Sequence, residues 1–154
     1  MKFWVRGVVA VALLLATARV GVADCASDDP DGSKVDAARA TADETCTAAD
    51  EGCSNAPNHG TYVSCIGRVI PALVTNGSLP KSCVGTVRKC AARSTCGRQA
   101  RGFVTCCITT NKAEKLCKVE RNAAVCAGRG GCTGSFVSCC DACTPGGGCN
   151  PPPP

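Results

Sequence analysis

The chain has 154 residues, 16 cysteines and a formal net charge of +5. The 131 residues from Asp24 onward hold all sixteen cysteines, about 12%, a density that marks a disulfide scaffold. Val, Ile, Leu and Phe supply only 18 of those 131 residues, which excludes a large apolar core, and no later apolar run approaches the ~18 residues of a membrane span.

Residues 1–23 read as a signal peptide. Lys2 and Arg6 form a basic start, Val8 to Ala16 is an unbroken apolar stretch, and Gly21 and Ala23 occupy the −3 and −1 positions of a cut before Asp24. Ala16 and Ala18 offer a second cut, before Arg19. The implied location is secreted or periplasmic, where thiols oxidise. The even count then predicts eight bridges among Cys25, Cys46, Cys53, Cys65, Cys83, Cys90, Cys96, Cys106, Cys107, Cys117, Cys126, Cys132, Cys139, Cys140, Cys143 and Cys149. Spacing does not give the pairing, since sixteen cysteines allow about two million connectivities.

Residues 24–32 are polar and acidic and read as a flexible leading segment. A helix is predicted from Ser33, with Ser33 and Asp36 at capping-box spacing and Gly52 as the C-terminal stop. Val35, Ala38, Ala42, Cys46, Ala49 and Cys53 recur at steps of 3 or 4, so one face presents both cysteines. A second helix is predicted over about 61–74, with Tyr62, Ile66, Val69 and Leu73 on one face and a kink or boundary before Pro71. Asn76-Gly77 marks a turn. A third helix is predicted over about 82–95, with Cys83, Val87, Cys90 and Ala91 inward and Gly97 ending it. The second and third helices are expected to form a cross-linked hairpin.

After Gly102 the period changes to two. Phe103 to Ile108, Leu116 to Glu120 and Phe136 to Cys140 read as strands, in which the neighbours Cys106 and Cys107, and Cys139 and Cys140, bridge in opposite directions. The expectation is a small disulfide-rich α+β fold over residues 33–143, helical over 33–97 and built of short strands and loops over 98–143. Residues 144–154 form a Gly/Pro-rich tail pinned at Cys149.

Aromatic-Val-hydroxyl-Cys recurs as Tyr62-Val63-Ser64-Cys65, Phe103-Val104-Thr105-Cys106 and Phe136-Val137-Ser138-Cys139. A frame C-A-x-R-x-x-C recurs at Cys90 to Cys96 and at Cys126 to Cys132. Two related cross-linked subunits plus a helical variant would produce this echo. The run Asn58-His59-Gly60-Thr61-Tyr62-Val63-Ser64-Cys65, with Cys90 to Gly97 and Phe103 to Cys107, resembles uncharacterised secreted cysteine-rich bacterial proteins. That resemblance implies secretion and a bacterial origin, and no activity comes with it.

Candidate chemistry is sparse. Cys140-Asp141-Ala142-Cys143 is a C-x-x-C outside any βαβ unit, so structural bridging outweighs redox use. Cys139, Cys140, Cys143 and Cys149 cluster closely, which makes a thiolate metal binder an alternative reading, although no metal or cofactor is assigned. His59 is the only histidine, so no histidine-based hydrolytic centre can be assembled, and a capping or turn role suits it. No enzymatic activity is expected.

Charge is the strongest signal. Residues 24–51 hold nine acids and two bases, whereas residues 52–113 hold eight bases and no acid. The reading that carries more weight is that the acidic helix folds back over the basic hairpin, with both faces otherwise simply solvated. The preferred function is non-enzymatic extracellular or envelope binding or structure, through a basic face comprising Arg68, Arg88, Lys89, Arg93, Arg98 and Arg101. No partner is specified by the sequence, and an anionic surface polymer or envelope component is the candidate for such a face. Nucleic acid is not, because one Tyr and two Phe after Asp24 offer no stacking platform. A third reading is an inhibitor or toxin-like module presenting the loop from Gly97 to Gly102.

Overall fold

The computed structural model describes residues 24–109, 115–144 and 148–151. The segment read as a signal peptide lies outside the described residues, as does Lys112. Six helices and one three-stranded antiparallel sheet are present among the described residues: α1 (Cys25–Asp28), α2 (Ser33–Ala48), α3 (His59–Thr75), α4 (Val84–Ala92), β1 (Val104–Thr109), β2 (Lys115–Glu120), α5 (Ala123–Gly128), β3 (Cys132–Thr133) and α6 (Cys139–Ala142). The first half is helical and the strands lie in the second half, as the change of period implies.

Residues 24–32 are not a loose lead-in. Cys25 is bonded to Cys83, and Asp29 is 5% exposed. The Asp29 carboxylate accepts from the backbone N–H of Lys34 at 3.0 Å and of Val35 at 2.8 Å. Asp29 therefore supplies the cap expected from Ser33, which is instead the first helical residue after Gly32. At the other end α2 stops before Gly52. Asp50 is left-handed at φ 58°, and the N–H groups of Asp50 and Glu51 return to the carbonyls of Thr47 and Cys46. Cys53 thus lies beyond the helix, not on its face. Val35, Ala38, Ala42 and Cys46 are buried as their spacing predicts.

Helix α3 starts under Asn58, whose side chain accepts from the Thr61 N–H at 3.0 Å. It runs through Pro71 to Thr75 without the expected boundary. Pro71 is exposed, so the helix forfeits one backbone bond on its solvent side while Ile70 and Leu73 remain buried on the other. The third helix is shorter than expected: a 3-10 turn at Lys81–Cys83 leads into α4, which ends at Ala92, well before Gly97. No bridge joins α3 to α4. Cys65 pairs with Cys46 on α2, so the cross-linked hairpin is α2–α3.

Strand β1 pairs with β2 along its whole length, Val104 opposite Glu120 and Thr109 opposite Lys115. The third strand is not Phe136 to Cys140. It is Cys132–Thr133, which pairs with Cys107 and Cys106 of β1. Phe136 and Val137 form a bend, and Ser138 alone is extended, bridging Ser94 just beyond α4 and capping α6 with its side chain, which accepts from the Cys140 N–H at 3.2 Å. The sequence echo is consequently half structural. The two C-A-x-R-x-x-C frames both place their arginine, Arg93 and Arg129, at a helix C-cap, whereas the three aromatic segments form a helix, a strand and a bend that leads into α6.

All sixteen cysteines pair: 25–83, 46–65, 53–96, 90–140, 106–126, 107–143, 117–139 and 132–149. Cys106 and Cys107 bridge in different directions, as do Cys139 and Cys140. Loops of 17 to 58 residues are closed, and each closure removes about 3–4 kcal/mol of unfolded-chain entropy. The helical half has a mixed core in which Ile66, Ile70, Leu73, Leu79 and Val87 surround three bridges. Around the sheet the core is largely sulfur: Cys107, Cys117 and Ala142, with Phe136 and four further cysteines packed on them. The Cys90–Cys140 bridge ties the halves together. Beside it, Arg39 of α2 grips both carboxylate oxygens of Asp141 on α6, with Nη1 2.8 Å from Oδ1.

Candidate functional site

The acidic helix α2 packs against α3 and α4, as the fold-back reading expects, while most of the acidic segment's carboxylates also take local hydrogen-bond partners. Asp24 accepts from Ser27 N–H, Asp29 caps α2, Asp31 accepts from Ser33 N–H, and Asp43 accepts from Cys53 N–H at 2.9 Å. The Ser33 N–H holds the Asp31 carboxyl below its ordinary pKa. Asp36 pairs with Arg39 at 3.1 Å within the same helix. Of the described bases between residues 52 and 113, Arg68 alone meets a carboxylate, that of Glu51.

The six arginines and lysines expected to form a basic face divide into two groups. Arg68 is held by Glu51 and by the Ser64 hydroxyl. Arg93 is half-buried and donates to the Cys117 carbonyl on β2, so it joins the two halves of the fold. Arg98 lies over Phe103, its guanidinium carbon 5.6 Å from the ring centroid. Arg88 and Lys89 are consecutive and exposed on α4, and Arg101 is exposed in the loop that follows. Their side chains make no hydrogen bond or ion pair among the described residues.

That loop is tightly built. Gly97 and Gly102 are both left-handed, at φ 68° and 78°, and a 3-10 turn at Gln99–Arg101 lies between them. Its base is fixed by the Cys53–Cys96 bridge and by the Gly97 N–H donating to the Cys53 carbonyl at 3.0 Å. His59 adds a strut: Nδ1 is 2.9 Å from the Cys96 carbonyl and Nε2 3.1 Å from the Ala92 carbonyl. Arg98, Gln99 and Arg101 line a groove of about 330 Å³ against Ser54 and Pro57, with no carboxylate in its walls. A helical turn of this kind does not offer the extended backbone that a protease cleft pairs with, which weighs against the inhibitor reading.

The cysteines proposed as thiolate ligands are all bridged, and to different partners: Cys139 to Cys117, Cys140 to Cys90, Cys143 to Cys107 and Cys149 to Cys132. The sulfurs of Cys107, Cys132 and Cys149 lie within 4.8 Å of one another, as do those of Cys107, Cys117 and Cys143. These are stacked disulfides, which lack the thiolate charge that binds zinc or copper(I).

A second concavity was not evident in the sequence. A cavity of about 310 Å³ lies between α2, α3, α4 and residues 137–141. Tyr62 lines it. Burial, reinforced by the nearby Asp43 charge, pushes the Tyr62 hydroxyl up to about 12. Arg39 and Asp141 stand in its wall, and the bond to Asp141 raises the Arg39 guanidinium further above its ordinary value.

No protein-family model, curated protein or solved structure matches the chain.

Proposed function

We propose that this is a secreted, non-enzymatic binding protein that holds anionic polymers of an extracellular or envelope surface through the basic segment from Arg88 to Arg101. The carrying observation is that Arg88, Lys89 and Arg101 are exposed and unpaired among the described residues, although nine acids lie within residues 24–51. Among the described residues only Glu51 of those acids pairs with a base from residues 52–113, Arg68, so the side chains of Arg88, Lys89 and Arg101 stay available to an anionic partner. The eight bridges fit an oxidising compartment, and among the described residues no helix is long and apolar enough to cross a membrane. The cleavable leader and the bacterial origin belong to this proposal.

The test is retention of the oxidised protein on immobilised polyphosphate at physiological ionic strength. Arg88→Glu with Lys89→Glu should bring elution close to the void. The matched double change Lys118→Glu with Arg121→Glu, both exposed in the other half, should leave most of the retention. Equal losses from the two pairs, or no loss from the first, would refute the assignment.

A further inference from the structure

The cavity beside Tyr62 carries a different chemistry from the basic loop. Its floor is apolar, made by Ile66, Val87 and Ala91 together with sulfurs of two bridges. Ile66 and Val87 are at most 2% exposed, and Cys96 is 1% exposed. The volume, about 310 Å³, lies at the lower end of small-molecule sites.

Two observations point to an occupant. Tyr62 is 8% exposed and lines the cavity. Every fully buried side-chain polar atom among the described residues has a partner, so the Tyr62 hydroxyl, which makes no hydrogen bond among them, keeps its access through the cavity. The charged groups around the cavity are also unbalanced. Asp36, Asp43 and Asp141 face a single cation, Arg39, whose guanidinium is already engaged by Asp141 and Asp36. Asp43 spends one oxygen on the Cys53 N–H and has the other left over. The wall is therefore net negative by two charges.

We propose that this cavity binds a small amphiphile with an apolar tail and a protonated amine head. The tail fills the space over Ile66, Val87 and Ala91. The ammonium donates to the Asp43 carboxylate and to the Tyr62 hydroxyl oxygen. An anionic head would meet the three carboxylates and is rejected. A neutral head of the same length gains the apolar contact without the charge.

The chain has one tyrosine, so its ring protons report occupancy directly by NMR in the oxidised full chain. The probes are n-hexylamine, 1-hexanol and hexanoate at neutral pH. Hexylamine should shift the Tyr62 signals saturably, with affinity about tenfold or more above that of hexanol, the gain that one added charge-assisted hydrogen bond confers. Hexanoate should not shift them. Asp43→Asn keeps an acceptor for the Cys53 N–H and should reduce hexylamine to the hexanol level. Hexanol binding as well as hexylamine, hexanoate binding at all, or Tyr62 signals unmoved by every probe would each overturn the proposal. So would Asp43→Asn leaving the amine preference intact. The wild-type comparison decides even if that variant does not fold.

Discussion

Replacing Gly97 by alanine probes the joint on which the basic loop is mounted. Gly97 has φ 68°, a region that costs a residue with a Cβ about 1–2 kcal/mol. A Cβ there would also lie 2.5 Å from the Asn58 carbonyl carbon, 2.6 Å from its oxygen and 2.8 Å from the His59 nitrogen. These are backbone atoms at the start of α3. The Cys53–Cys96 bridge and the His59 strut hold the two segments together, so neither can withdraw freely. Overpacking of this kind adds about 1–3 kcal/mol, for a total of about 3 kcal/mol. Gly77 is the matched control, with φ 79° and nothing within 4 Å of a built Cβ, so Gly77→Ala carries the conformational term alone. Thermal unfolding followed by circular dichroism, bridges intact, should show Gly97→Ala lowered by about 10 °C and Gly77→Ala by only about 3–5 °C. Equal shifts would mean that the 97–102 loop is not seated against α3, and the geometry of the basic groove would fall with it.

Two further outcomes follow from local structure. Gly85 lies in α4 with nothing within 4 Å of a built Cβ, so Gly85→Ala should stabilise by about 0.5–1 kcal/mol in denaturant unfolding, and a loss would place an unseen neighbour there. Tyr62 should titrate by phenolate absorbance with a midpoint near 12 in the native protein and near ~10 once reduced and denatured. Because the folded state holds that proton more tightly, stability should be flat below pH ~10 and fall from there towards 12; a native midpoint at the ordinary value would contradict the enclosure of the hydroxyl.

Helix α2 was legible because Val35, Ala38, Ala42 and Cys46 repeat at the helical period and nothing competes with it. Strands β1 and β2 were legible for the same reason at period two. Phe136 to Cys140 carries that alternation too, yet the sheet does not take it up. Ser138-Cys139-Cys140-Asp141 has the spacing of a helix start, and that signal, weighed against the alternation, would have found α6. The role of Asp29 was hidden because the residue lies upstream of the helix it caps and among other acids that would serve as well. Arg93 looked like its exposed neighbours Arg88 and Lys89, and only the fold reveals that it spans to the Cys117 carbonyl. The cavity depends on Arg39 meeting Asp141, 102 positions away. No local pattern encodes such a contact, and the disulfide connectivity that permits it is equally non-local.

Both proposed sites depend on that connectivity. Cys53–Cys96 fixes the base of the basic loop, and Cys90–Cys140 holds residues 137–141 against the helices around the cavity. Partial reduction with stepwise alkylation, followed by mass spectrometry of the fragments, distinguishes even the neighbours Cys106 and Cys107. The oxidised protein should yield no free thiol and eight bridges, among them 53–96, 90–140, 106–126 and 107–143. A free thiol, or Cys53 or Cys140 joined to any other partner, would contradict the account.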